Sequence, residues 1–234
     1  MSAVSIVIPV LDEAATIAPQ LAALQEFRRA GAELLVVDGG SSDATVAGAE
    51  SACDRVLVAP RGRGSQMNAG AEAASGVVLI FLHADTTLPR DAIAAVSQAV
   101  ASGAVWGRFD VTISGTSAGL PLIAAMMNLR SRLSGLATGD QAIFVLKKTF
   151  LDAGGFPDIP LMEDVALSTI LRRRYRPACL RQKVITSGRR WEKNGVVKTI
   201  WRMWSLRWRY FFGADPQQLA VEYGYRPRDD QARG

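Results

Sequence analysis

In the first half of the chain, short apolar runs alternate with stretches whose apolar residues recur every three or four positions. Residues 5–10 form a continuous apolar run that reads as a buried strand. Residues 14–29 place Ile17, Leu21 and Leu24 on one face and predict a helix. Residues 33–38 give the next strand, closed by a Gly-Gly-Ser-Ser turn. Ser42 or Asp43 is suited to cap a helix running to about residue 52. A third strand is expected over 55–59 and a helix over 65–74. A fourth strand, 77–82, ends at His83-Ala-Asp85, with Pro89 expected at the first position of the following helix. This strict alternation implies parallel strands joined by right-handed helical crossovers.

The second half is less regular. Strands are expected at 104–113, 141–146 and 181–185, and helices at 120–136, 162–175 and 196–212. The tail beyond Tyr225 is polar and is expected to fray. The predicted class is therefore α/β, a three-layer, mostly parallel mixed sheet flanked by helices, with a C-terminal helical extension. Two segments are expected, a catalytic domain over 1–192 and a basic, Trp-rich extension over 193–234.

Composition narrows the chemistry. Hydrophobic residues make up 49% of the 234, enough for a sizeable core. Cys53 and Cys179 stand far apart, which is neither a zinc pattern nor a disulfide framework and suits a reducing cytoplasm. No basic segment precedes the apolar run at Val4, which argues against a signal peptide. No apolar run approaches the roughly 20 residues of a membrane span. Charge is unevenly spread. Residues 172–209 hold 13 Lys and Arg against one acidic residue, Glu192, whereas the remainder has 14 basic and 21 acidic residues. A basic patch on an acidic body attracts phosphates, anionic lipid or nucleic acid.

In an open parallel sheet, ligands bind beyond the C-terminal strand ends. Polar residues collect at four such ends: Asp12 and Glu13, Asp38, Arg61 and Arg63, then His83 and Asp85. Neither a dinucleotide-binding glycine fingerprint nor a P-loop is present. The single histidine excludes a His-rich zinc site, and no nucleophile elbow accompanies it, so acid-base and metal work falls on carboxylates. Asp85 follows the most apolar strand and is placed to hold Mg²⁺ or Mn²⁺, which favour oxygen ligands and leave positions for substrate phosphates. The bland alternative makes it a helix cap. His83 contacts the nucleotide or a metal ligand, or simply fills the turn. Glu163-Asp164 supplies either a general base for an acceptor hydroxyl or acids favoured by a helix dipole.

Five stretches occur in order: Ser5-Ile-Val-Ile-Pro-Val-Leu-Asp-Glu13, Val37-Asp-Gly-Gly-Ser-Ser-Asp-Ala-Thr45, Leu82-His-Ala-Asp-Thr86, Gly139-Asp-Gln-Ala-Ile-Phe144 and Met162-Glu-Asp164. As a set they resemble family 2 of the inverting glycosyltransferases, over about residues 4–192. The resemblance implies the A-type glycosyltransferase fold, the nucleotide-diphospho-sugar transferase fold, and metal-assisted transfer to an acceptor hydroxyl. It also implies residue roles. Pro9, Leu11 and Glu13 line the nucleoside pocket, and Asp38 binds the base with Ser41 and Asp43 supporting its turn. Arg63 and Asn68 lie near the nucleotide, with His83 beside the metal-binding Asp85. Gly139, Asp140 and Gln141 border the acceptor, as do Arg190 and Trp191, which resemble the end of the Gln-x-x-Arg-Trp motif of processive members. Asp164 is the implied catalytic base, with Glu163 next to it.

Two departures stand out. His83 replaces the first acid of the family's Asp-x-Asp motif, and Ser187 replaces the Gln of Gln-x-x-Arg-Trp. With no transmembrane helices expected, single transfer is favoured over polymer synthesis. The Leu-His-Ala-Asp-Thr variant resembles a small bacterial subgroup labelled arsenosugar-biosynthesis-like, a label that fixes no substrate. The alternatives are a nucleotidyltransferase making a nucleotide sugar, which wants a glycine-rich basic turn after the first strand, and an inactive nucleotide-sugar-binding module. No nucleic-acid motif occurs. The expected partners are a nucleotide-diphospho-sugar and an acceptor that is a small molecule or lipid-linked.

On a helical wheel of 196–212, Lys198, Arg202, Ser205 and Arg209 share one face. Val197, Trp201, Trp204, Trp208 and Phe211 share another, with Arg207 inside that apolar arc. The leading expectation buries the tryptophans on the domain and leaves the basic face in solvent. The competing one lays the helix on anionic lipid at the inner face of the membrane. Phosphate steering or an oligomer contact is a third use of the face.

Overall fold

The computed structural model describes residues 3–225, apart from the side chains of Asn194 and Val197. The polar tail beyond Tyr225 and the Val197 position on the wheel therefore lie outside the described residues. Strands β1 (Val4–Val10), β2 (Glu33–Asp38), β3 (Arg55–Val58) and β4 (Val78–Phe81) pair in parallel, in the spatial order β3-β2-β1-β4. They are linked by α1 (Ala14–Arg29), α2 (Thr45–Ala49) and α3 (Arg63–Ala73). The alternation of β1 divides its side chains between two cores. Ile6 and Ile8 pack with Ile17, Leu21 and Leu24 of α1, whereas Val7 packs with Met67 and Ala71 of α3.

Beyond β4 the sheet turns mixed. A two-residue strand β5 (Thr86–Thr87) and helix α4 (Ala92–Ala101) precede β6 (Trp106–Ser114), and α5 (Leu120–Ser134) follows. A 3₁₀ turn, Gly139–Gln141, leads into β7 (Ile143–Leu146) and the short α6 (Lys147–Asp152). Helix α7 (Glu163–Arg172) then feeds β8 (Ala178–Ser187). The full sheet order is β3-β2-β1-β4-β7-β6-β8-β5, with β7 antiparallel to both neighbours. The fully buried Arg108 of β6 pairs with Asp110 and donates through Nε to Ser131 Oγ (3.0 Å). Arg132 Nη2 reaches the other Asp110 oxygen at 2.6 Å. This network fixes α5 against the sheet.

The chain continues through α8 (Arg189–Asn194), α9 (Val196–Phe211) and α10 (Pro216–Tyr223). Leu206, Leu219 and Ala220 form a small core with Leu161, Met162 and Val165, so the C-terminal helices dock on the entrance to α7. Among the described residues no helix is long and apolar enough to cross a membrane.

Three local expectations are corrected. Helix α2 is capped by Ala44 rather than by Ser42 or Asp43 and ends at Ala49. Asp43 instead accepts the backbone N–H groups of Thr45 (3.0 Å) and Ala14 (3.1 Å), tying the starts of two helices together. Pro89 lies ahead of α4, whose N-cap is Asp91, and its carbonyl accepts the Ala92 N–H at 2.9 Å. The tryptophans of α9 are not packed on the domain: Trp201, Trp204 and Trp208 are 78, 63 and 68% exposed. The covered face is a third one, centred on Thr199 and Leu206 with Met203 and Tyr210 half-buried, while Lys198 and Arg202 of the basic face stay exposed as expected. Arg209 pairs with Glu222, and Arg202 donates to the Glu222 carbonyl and lies over the Tyr223 ring, all on α10. A wheel defines faces, but which face turns inward depends on the partners of Leu206, at the entrance to α7 and on α10.

Candidate active site

The ends of β1 and β4, the turn before β7, the start of α7 and the C-terminal helices enclose one cleft of about 410 Å³. Pro9, Leu11 and Glu13 enter it from β1, Arg63 from the start of α3, and His83 and Asp85 from β4. Gly139 and Asp140 come from the 3₁₀ turn, Glu163 and Asp164 from α7, and Arg190 and Trp191 from α8. Twelve expected site residues thus share one wall-to-wall space.

The other five shape it from behind. Asp38 is buried, and its Oδ2 accepts the N–H groups of Gly40 (2.9 Å) and Ser41 (3.0 Å) while Oδ1 takes the Ser41 hydroxyl. Ser41 in turn accepts the Asp12 N–H at 2.9 Å. Asp43 bridges α1 and α2 as described. Asn68 exchanges two hydrogen bonds with the backbone of Phe156, joining α3 to the loop before α7. Gln141 is buried in a capping box with Thr138.

Strain concentrates around the cleft. Among the described residues, the non-glycine ones with left-handed φ are Asp12 (52°), Ala142 (45°) and Met162 (69°). One follows β1, one follows the 3₁₀ turn and one immediately precedes Glu163, each beside a lining segment. Such conformations cost on the order of 1–3 kcal/mol and persist where the surrounding structure over-determines them. Close approach matters at Gly139, where a Cβ would stand 2.3 Å from the His83 imidazole.

The electrostatics are opposed across the cleft. His83 Nδ1 lies 3.6 Å from Asp140 Oδ1. Surrounding protein disfavours the charged form of Asp140, but His83, Arg63 and Arg190 outweigh it and hold its carboxyl down at about 2. Asp140 keeps 48% of its side chain open to the cleft, so water also favours the anion. Glu163 is buried at 5% exposure, and burial together with the Asp164 charge pushes its carboxyl up to about 7, against the pull of Arg63. Arg63 itself is desolvated yet raised, chiefly by Glu163. Asp164 is oriented by the Gly139 N–H, which donates to its Oδ2 at 2.8 Å, and by the Val165 N–H on Oδ1 at 2.6 Å.

Several lining residues were not anticipated. Gln66 Nε2 donates to the carbonyls of Val10 (2.7 Å) and Val37 (2.8 Å), closing the gap between β1 and β2. Its signal was a long polar side chain on the buried face of α3, next to Met67 and Gly70. Thr199, Met203 and Arg207 of α9, with Tyr223 and Tyr225, complete the wall. The extension is therefore part of the cleft. Arg207 was visible as a charge interrupting an apolar arc.

The donor set can be tested against a divalent cation. Among the described residues no group of three or more His, Cys, Asp or Glu side chains is arranged to cage a metal. Magnesium-type sites with one or two carboxylates, completed by substrate phosphates and water, need no such cage. Asp85 is exposed at the cleft mouth with one long contact, from Thr86 Oγ1 at 3.5 Å, so its carboxylate fits that role.

Residues 5–150 match the family described as Glycosyl transferase family 2. Among curated proteins no relative matches the chain. Among solved structures, a mannosyltransferase from Pyrobaculum calidifontis, in complex with GDP-Man and Mn²⁺, superposes with a TM-score of 0.63 at 20% identity. That match covers 87% of this chain and 61% of the other, so the chain spans about three-fifths of the length of that protein. Glucosyl-3-phosphoglycerate synthase from Mycobacterium tuberculosis, in complex with Mn²⁺, UDP and glucosyl-3-phosphoglycerate, gives 0.59 at 20% identity, covering 78% of this chain and 70% of its own. S. aureus TarS 1–349 gives 0.59 at 16% identity, covering 80 and 61%. At these identities the likeness establishes a common fold, the A-type glycosyltransferase fold.

Proposed function

The chain belongs to glycosyl transferase family 2, and from that premise we propose that it moves a sugar, with inversion, from a nucleotide-diphospho-sugar to an acceptor hydroxyl. The observation that carries this reading is that Asp85 and Asp164 line one cleft whose walls also supply Arg63 and Arg190. Asp164 takes the proton of the acceptor hydroxyl as its oxygen forms a bond to the anomeric carbon and the bond to the diphosphate breaks. The Gly139 and Val165 N–H groups each hold one carboxylate oxygen in place, and each oxygen keeps a further lone pair for the proton. Pro9, Leu11 and Glu13 hold the nucleoside, and Arg63 and Arg190 the phosphates. Asp38, Ser41, Asp43 and Asn68 act through the turns they build. Asp85 holds a Mn²⁺ or Mg²⁺ ion, which when bound neutralises charge developing on the leaving diphosphate. Neighbours of the same fold are described with Mn²⁺ and GDP-Man or UDP.

Residues 1–192 constitute the catalytic domain in this reading, and 193–234 an extension whose described part, to Tyr225, lines the cleft. The Leu82–Thr86 stretch supports placement in the subgroup labelled arsenosugar-biosynthesis-like. Contact with anionic membrane is supported by the exposed aromatic face of α9 and by a second exposed stripe, Leu122, Met126, Leu129 and Leu133 on α5. The donor reading is tested by thermal shift with nucleoside diphosphates and nucleotide sugars, with and without Mn²⁺. At 100 times Kd, binding stabilises by about 2.7 kcal/mol. The expected result is a metal-dependent rise for one base, lost in Asp85→Asn. A rise for none, or one indifferent to metal and to Asp85→Asn, refutes it.

A further inference from the structure

Two arginines beside Asp164 hold buried nitrogens that bond to nothing. Among the described residues, Nε and Nη2 of Arg130 and Nε of Arg207 are buried without a hydrogen-bond partner. Arg207 projects from α9 into the cleft, and Arg130 lies on α5 one turn beyond Met127, which also lines it. Leaving a charged donor desolvated and unpaired is more costly than leaving a neutral one. Here two cations do so side by side. Burial and the neighbouring Arg207 charge lower the Arg130 guanidinium to about 10, and burial lowers Arg207 as well. Asp164 attracts both but spends its oxygens on the Gly139 and Val165 N–H groups. The Arg108–Asp110–Arg132 network clamps α5, and the Leu206 core clamps α9, so neither arginine is carried on a loose segment.

A dianion with several oxygens satisfies such a pair, because guanidinium forks match phosphate geometry. Position separates this place from the donor phosphates. Arg63 and Arg190 enter from the starts of α3 and α8, whereas Arg207 enters from α9 with Arg130 on α5. We propose that Arg130 and Arg207 form a subsite for a phosphate monoester carried by the acceptor, which places the acceptor among phosphorylated alcohols. Its assignment to the acceptor, though not the existence of the anion site, rests on the transfer reading above. The phosphate belongs either to a soluble compound or to a lipid headgroup reached across the exposed apolar faces of α5 and α9.

The test is calorimetric titration of the full chain, saturated with a nucleoside diphosphate and Mn²⁺, with orthophosphate and, separately, with phosphatidylcholine vesicles with or without phosphatidic acid. Wild type is expected to bind at least one phosphate probe. Arg130→Gln and Arg207→Gln are each expected to weaken that binding at least tenfold while changing the nucleoside diphosphate Kd less than twofold. Arg207→Lys, which keeps the charge without the fork, is expected to fall between. Orthophosphate binding assigns a soluble source; response to phosphatidic acid alone assigns a lipid one. Binding of neither probe, or binding indifferent to both Gln variants, overturns the subsite. If the nucleoside diphosphate fails to bind while the arginine-dependent phosphate response persists, the transfer reading falls and the anion site stands.

Discussion

At the scale of single residues, the cleft is built from groups held away from their ordinary state. Glu163 is the clearest. Its carboxyl is raised from 4.5 to about 7, so the folded protein favours the protonated form. The sign follows: this contribution to stability is full below about pH 4.5 and is lost as pH rises through about 7. Between pH 5 and pH 8 wild type should therefore lose roughly 5 °C of Tm relative to Glu163→Gln. Thermal melts of both proteins across that range provide the check, and parallel curves would contradict it. Gly139 makes a second prediction. Gly139→Ala drives a methyl into the His83 ring and should cost about 1–3 kcal/mol in denaturant unfolding. An unchanged midpoint would show that the ring is not fixed there.

At the scale of elements, sequence periodicity worked where a face was both regular and locally determined. The expected and observed bounds of α1 coincide, and β1, β2 and β3 agree within a residue, because Ile17, Leu21 and Leu24 and the apolar strands leave one way to bury themselves. Periodicity failed where tertiary partners decide. The faces of α9 were legible, yet the face that docks is the one carrying Thr199 and Leu206, and the tryptophans turn outward. The same limit applies to the site. Strand-end carboxylates were readable because the sheet topology brings strand ends together, whereas Arg130 met Arg207 only through the packing of α5 beside α9. Asp38, inside a motif stretch, and Asn68, outside all five, face the backbone they support. The outward tryptophans carry a prediction of their own. Trp201→Ser/Trp204→Ser/Trp208→Ser should leave Tm nearly unchanged, since these rings are mostly in water, and should reduce flotation with anionic vesicles about tenfold. Wild type that does not float with such vesicles would remove the membrane contact.

At the scale of the whole molecule, the cleft lies between a parallel half and a mixed half of the sheet, to which the proposed function gives the nucleotide and the acceptor respectively. The C-terminal helices, docked on Leu161, Met162 and Val165, wall the space between. The three left-handed residues at its margins show where the fold accepts local cost to hold this geometry. The division of labour across the cleft can be read from one variant. Asp164→Asn keeps the size of the side chain and one of its two backbone hydrogen bonds but removes the base. With the donor that thermal shift selects, release of nucleoside diphosphate in the presence of acceptor should fall on the order of 10²–10⁴-fold. The Kd of the nucleoside diphosphate with Mn²⁺ should stay within about twofold of wild type, on the account that Asp164 serves the acceptor alone. Turnover by Asp164→Asn at the wild-type rate would contradict the account at its centre.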